Sequence, residues 1–177
     1  MNLYYAGSIL NTSVLLCTAA LGAQASITAD QLNLGGEGQI YAGGFTAAVI
    51  LVLTKSLPPF VSLLLACFAA AAVSCILALI SAALKALKNA DVLLTSFLVS
   101  AAVIPFIDSL IAGRFRGTTG NLLATPLIPK AVQLTKIMPP SPLNISVFTV
   151  PVICTVAWFL LYKTVKGKQL RISGIAP

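Results

Sequence analysis

Charged side chains divide this sequence into long apolar runs. Residues 1–29 carry none, and further charge-free runs occupy 38–54, 56–84, 92–107 and 137–162. A helix crossing the roughly 30 Å hydrocarbon core of a bilayer needs about 20 mainly apolar residues. Trimmed at turn signals, the runs predict spans near 8–28, 36–54, 60–84, 92–112 and 144–162. The expected fold is all-α: a polytopic transmembrane helical bundle of about five spans, forming a single membrane domain over 1–177. The stretch Asp30 to Gly38 is polar and glycine-rich but too short for a domain. An interrupted or glycine-rich segment is therefore expected near 33–44.

Composition supports lipid as the main solvent. Of 177 residues, 58% are hydrophobic and 8% charged, and the mean hydropathy is +0.99. An ordinary soluble domain is about a quarter charged. The net charge of +7 is spread between apolar runs rather than gathered in a patch, which excludes a nucleic-acid footprint. Histidine is absent, removing the commonest acid–base and metal chemistry. No phosphate-cradling Gly-x-x-x-x-Gly-Lys-Ser/Thr loop occurs, so the chain itself is not expected to hydrolyse nucleotide. No catalytic residue, metal site or cofactor is expected. Cys17, Cys67, Cys75 and Cys154 lie inside apolar stretches and read as small buried hydrophobes. Ala23-Gln24-Ala25 has the small-x-small pattern of a signal-peptide cut, but residues 1–22 lack the basic start that goes with it. A retained first helix is expected.

Charge bias then orients the spans. Lys85, Lys88 and Asp91 in the connector 85–91, and Lys163, Lys166, Lys168 and Arg171 in the tail, are expected on the cytoplasmic side. The proline-rich loop 113–143 falls outside despite Arg114, Arg116, Lys130 and Lys136, because the tail packs its charges beside a span. The amino terminus then also lies outside. The basic tail suits anionic lipid headgroups or a cytoplasmic partner.

A few side chains are out of place in lipid. Glu37, flanked by Gly35, Gly36 and Gly38, either lines a polar path or meets water at an interfacial turn. Asp108 lines an outer mouth or snorkels to the interface near Arg114. Ala42, Gly43, Gly44, Ala47 and Ala48, and Ala66, Ala69 to Ala72 and Ser74, form small-residue faces for close helix packing. Tyr4, Tyr5, Trp158 and Tyr162 read as interfacial anchors.

Two motifs carry a family likeness. Gly22, Asn33-Leu34-Gly35-Gly36-Glu37-Gly38 and then Gly43 resemble the G…NLGxEG…G signature of bacterial ABC-importer permeases of the ribose/branched-chain amino acid type. Tyr162-Lys163-Thr164, Gly167, Arg171, Gly174 and Pro177 resemble their YKTxxGxxxRxxGxNP segment. The nearest subgroup is the nucleoside, simple-sugar and riboflavin permeases. Departures are Ala23 where an acid is usual, Ile27, Thr28 and Asp30 where Glu-Arg and a glycine are usual, and Ile175-Ala176 before the final proline.

The resemblance implies an inner-membrane permease subunit that moves a small solute by alternating access. It implies a cytoplasmic ATPase subunit that uses the ATP, a second permease subunit, and an extracytoplasmic solute-binding protein or lipoprotein. Asn33, Gly35, Glu37 and Gly38 would shape the translocation path, and Gly167, Arg171 and Gly174 would couple to the ATPase in a cytoplasmic segment over 163–177. The chain resembles the amino-terminal half of such a permease. A secondary transporter and a non-transporting scaffold or truncated remnant are the alternatives.

Overall fold

A computed structural model describes residues 3–118 and 122–175. The described chain is all-α apart from one isolated bridge between Lys136 and Asn144, and five of its helices are long and apolar enough to cross a membrane. In chain order the helices are α1 (Leu3–Thr28), α2 (Gly36–Leu53), α3 (Pro59–Lys88), α4 (Val92–Ala112), α5 (Thr149–Lys163) and α6 (Val165–Ser173). α1 begins five residues before the expected span. The last span is expected from 144, but Ile145–Phe148 are a 3-10 turn leading into α5.

Local chemistry explains where helices stop. Asp30 takes a left-handed φ of 53° just after α1, and Asn89, at φ 52°, closes α3, its own N–H on the Lys85 carbonyl and that of Ala90 on the Leu84 carbonyl. Both residue types tolerate that conformation. Pro59 opens α3, where no N–H is needed. Asp91 caps α4 by accepting from Leu93 N–H at 2.9 Å.

The chain forms two compact units, residues 33–133 and residues 1–32 with 134–177. In the first, α2, α3 and α4 pack against one another. Its buried positions are small or hydroxylic: Ala42, Ala66, Ser62, Ser81, Ser96 and Ser100, with Leu51 and Ile107. Large side chains point outward instead. In α3 Phe68 is 72% exposed while Ala66, two residues earlier, is 2% exposed. Lipid solvates the phenyl ring as well as a core would, so small residues take the seams where backbones approach.

The cysteines correct an expectation. Cys17, Cys67 and Cys75 are exposed and Cys154 is half-buried, all as free thiols. They belong to the outward faces, because alanine, glycine and serine hold the seams.

In the second unit, α1 packs on α5, and α6 folds back against α5. The loop before α5 is stitched by Ile137 N–H on the Leu143 carbonyl and Ile145 N–H on the Thr135 carbonyl, at 2.9 and 3.1 Å.

Candidate functional site

The glycine-rich motif divides into a loop and the first turns of α2. Asn33 folds over the loop, its Oδ1 accepting from Gly35 N–H at 2.8 Å. Gly35 is the N-cap of α2 and has no side chain to cap with. Two N–H groups of this end are met from α4 instead. Ser96 Oγ accepts from Leu34 N–H at 3.0 Å, and Ser100 Oγ accepts from Gly38 N–H at 2.7 Å. At the next residue, Ser74 of α3 donates to the Gln39 carbonyl at 2.9 Å. Such bonds satisfy backbone groups that lipid cannot.

These serines need close approach, which explains the glycines. A Cβ on Gly38 would lie 2.7 Å from Ser100 Cα, and one on Gly35 would lie 2.9 Å from the Ser96 carbonyl oxygen. Gly43 meets Ser74 Oγ in the same way. Gly36, at the variable position of the motif, faces open space. The gap between α2, α3 and α4 has no room for a water, and Ser81 Oγ is buried there without a partner among the described residues.

The opposite face of α2 is open. Glu37 is exposed on it, as are Ile40, Tyr41 and Gly44. Glu37, Ile40 and Tyr41 line a groove of about 520 Å³ together with Ile104 of α4. A neighbouring hollow of about 340 Å³ continues along Tyr41, Gly44, Phe45 and Ala48 to Ile111, Ala124 and Thr125. Between Ile104 and Ile111, at helical spacing, stands Asp108, whose Oδ1 accepts the Tyr41 hydroxyl proton. At the far end Phe45 meets Phe115 edge-on, centroids 5.4 Å apart.

Sequence reasoning named Glu37 and the glycines but not the partners. Asp108 is a partner of Tyr41 rather than an isolated acid. A tyrosine and an acid inside two spans were the available signal, and only the pairing of α2 with α4 joins them.

In the other unit the tail motif forms an elbow. Thr164 is the N-cap of α6, accepting from Gly167 N–H at 3.1 Å and donating to the Leu160 carbonyl at 2.5 Å. A Cβ on Gly167 would overlap the carbonyl oxygens of Leu160 and Leu161, so only glycine lets α6 turn this tightly against α5. Gly174 abuts the Thr28 carbonyl at the end of α1. The Arg171 guanidinium lies over the Tyr162 ring, 4.9 Å from its centroid, and Lys163 Nζ lies 5.3 Å from that of Trp158. Arg171 Nε is buried without a partner among the described residues. Pro177, the last residue of the tail motif, is outside the described residues.

Nothing here is built to hold a metal: the described residues contain no cluster of three or more His, Cys, Asp or Glu side chains.

Comparison with known proteins agrees with the helix pattern. The family described as "Branched-chain amino acid transport system / permease component" matches residues 5–177. A protein of Treponema pallidum (strain Nichols) named "Probable riboflavin import permease protein RfuC" is 35% identical over 181 residues, covering 98% of this chain. The chain spans about half that relative's length, 46%. No solved structure gives a significant match. The chain belongs to the family of permease components typified by branched-chain amino acid transport systems.

Proposed function

We propose that the chain is a permease subunit of an ATP-binding-cassette importer in a bacterial cytoplasmic membrane, and that the open face of α2 lines its solute path. The carrying observation is that Glu37, Tyr41 and Asp108 all lie on this one face, in helices that otherwise show apolar side chains outward. An acid facing hydrocarbon is expensive, so such a face is covered by protein or lines water. The interrupted backbone at 29–35 and the serine-capped start of α2 fit a path element, as broken helices do in transporters.

The solute class in this reading is a small solute: riboflavin is suggested by the name of the relative, and a nucleoside or simple sugar by the motif resemblance. The partners are a cytoplasmic ATPase, a second permease subunit and an extracytoplasmic binding protein or lipoprotein. The α5–α6 elbow faces the ATPase in this reading. The positive-inside bias of Lys163, Lys166, Lys168 and Arg171 supports a cytoplasmic position for it, and loop 113–143 then falls outside.

The test is uptake into proteoliposomes holding the complete complex. Uptake is expected to require both ATP and the binding protein, and Glu37→Ala is expected to lower it while insertion stays normal. Uptake without ATP, or normal uptake by Glu37→Ala, overturns the assignment. Arg171→Glu is expected to weaken co-purification of the ATPase.

A further inference from the structure

We infer that the open face of α2 is a charge filter, admitting uncharged solutes rich in N–H and O–H donors and rejecting their phosphate esters and other anions. The inference deepens the path reading above and rests on it.

The groove supplies acceptors and little else. Tyr41 occupies Asp108 Oδ1 and so fixes the carboxylate, leaving Oδ2 free to accept. Neither Oδ2 nor the Glu37 carboxylate accepts a hydrogen bond from the protein among the described residues. Glu37 and Tyr41 are four residues apart, one helical turn or about 6 Å along the groove. A solute moving along α2 therefore meets one acceptor site and then another.

Apart from Thr125 at the far end, the remaining walls are apolar: Ile40 and Ile104 beside the acids, Ile111 and Phe45 beyond them. Such walls fit an apolar ring face. They offer nothing to a phosphate, which needs positive charge or clustered N–H donors.

The sign of the field follows from the same helices. α2 and α4 contain no lysine or arginine, so Glu37 and Asp108 set the charge along this face. The basic residues that follow α4, Arg114 and Arg116, flank Phe115, whose ring meets Phe45 at the far end of the hollow from Glu37. Low-dielectric walls strengthen the repulsion of an anion. Two of the N–H groups around the start of α2, which would otherwise favour an anion, are turned away into the serines of α4: those of Leu34 and Gly38.

Two thiol reagents of opposite charge and similar size test this directly, the cationic trimethylammonium-ethyl and the anionic sulfonato-ethyl methanethiosulfonates. The four native cysteines are replaced by alanine, and a single cysteine is placed at Ile40 or Gly44. The chain is embedded in nanodiscs so that both membrane sides are reachable, and Lys130→Cys on the exposed loop is the reference. Relative to that reference, the cationic reagent should react on the order of tenfold faster at both groove positions. Adding Glu37→Gln and Asp108→Asn should return the ratio to the reference value. Equal rates for the two reagents at groove and loop overturn the filter but leave the path standing. Reaction at the loop with none at either groove position overturns both.

Discussion

The α2 seam and the α5–α6 elbow both depend on glycine at the point of closest approach, yet they are held by different means. The elbow is local: Thr164, Gly167, Leu160 and Leu161 lie within eight residues, so its bonds form whenever α5 and α6 do. The seam is long-range. Its serines reach across 62 residues of sequence to satisfy the start of α2, and its geometry exists only when α2 and α4 are docked. A local joint transmits motion as one piece, whereas a seam of hydroxyl contacts between helices can be re-made in another register. That contrast suits the roles proposed above, an elbow that would receive force from the ATPase and a seam beside a path that would change shape.

Substitutions at the glycines break the contrast most severely. Gly38→Val pushes a branched side chain into the Ser100 backbone and is expected to destabilise the α2–α4 unit by about 3 kcal/mol, the upper end for overpacking. Gly36→Ala, two residues away in open space, is expected to be neutral or to stabilise by about 0.5 kcal/mol. Thermal unfolding in detergent compares the pair, and similar losses for both sink the seam geometry.

Next comes Ser100→Ala, which leaves the buried Gly38 N–H unpaired. A loss of about 1–2 kcal/mol is expected, along with faster amide exchange at the start of α2 but not in α6. Thr164→Ala is the matching change at the elbow. It should lower stability by about 1 kcal/mol at most and raise exchange only around Gly167 and Lys168. If either change spreads exchange into the other unit, the local and long-range distinction fails. Cys67→Ala should have the smallest effect, within about 0.5 kcal/mol, because its thiol faces outward.

The helices were legible because charge is expelled from lipid, so Lys55, Lys85, Lys88 and Asp91 mark span ends directly. Gly35 and Gly38 were legible as unusual, being glycines beside an acid. Their reason was not, since Ser96 and Ser100 look like any serines in an apolar helix until α4 is laid against α2. Asp108 was misleading for the same reason: reading along the chain pointed to Arg114, whereas its partner Tyr41 lies 67 residues away. The cysteines failed differently. A rule learned from water-soluble cores puts thiols inside, and lipid removes the reason for it. The tail motif was read only as a cytoplasmic segment over 163–177, and the helix within it shows once Thr164 is seen to cap Gly167.

A cysteine scan of α2 from Glu37 to Leu51 with a small water-soluble maleimide tests the central claim most directly. The open-face account predicts fast labelling at 37, 40, 41, 44 and 48, one stripe at helical spacing. Ala42 and Leu51, which are buried and already carry side chains, should stay protected. Labelling absent along the stripe, or strongest at 42 and 51, would contradict a water-lined path on this face.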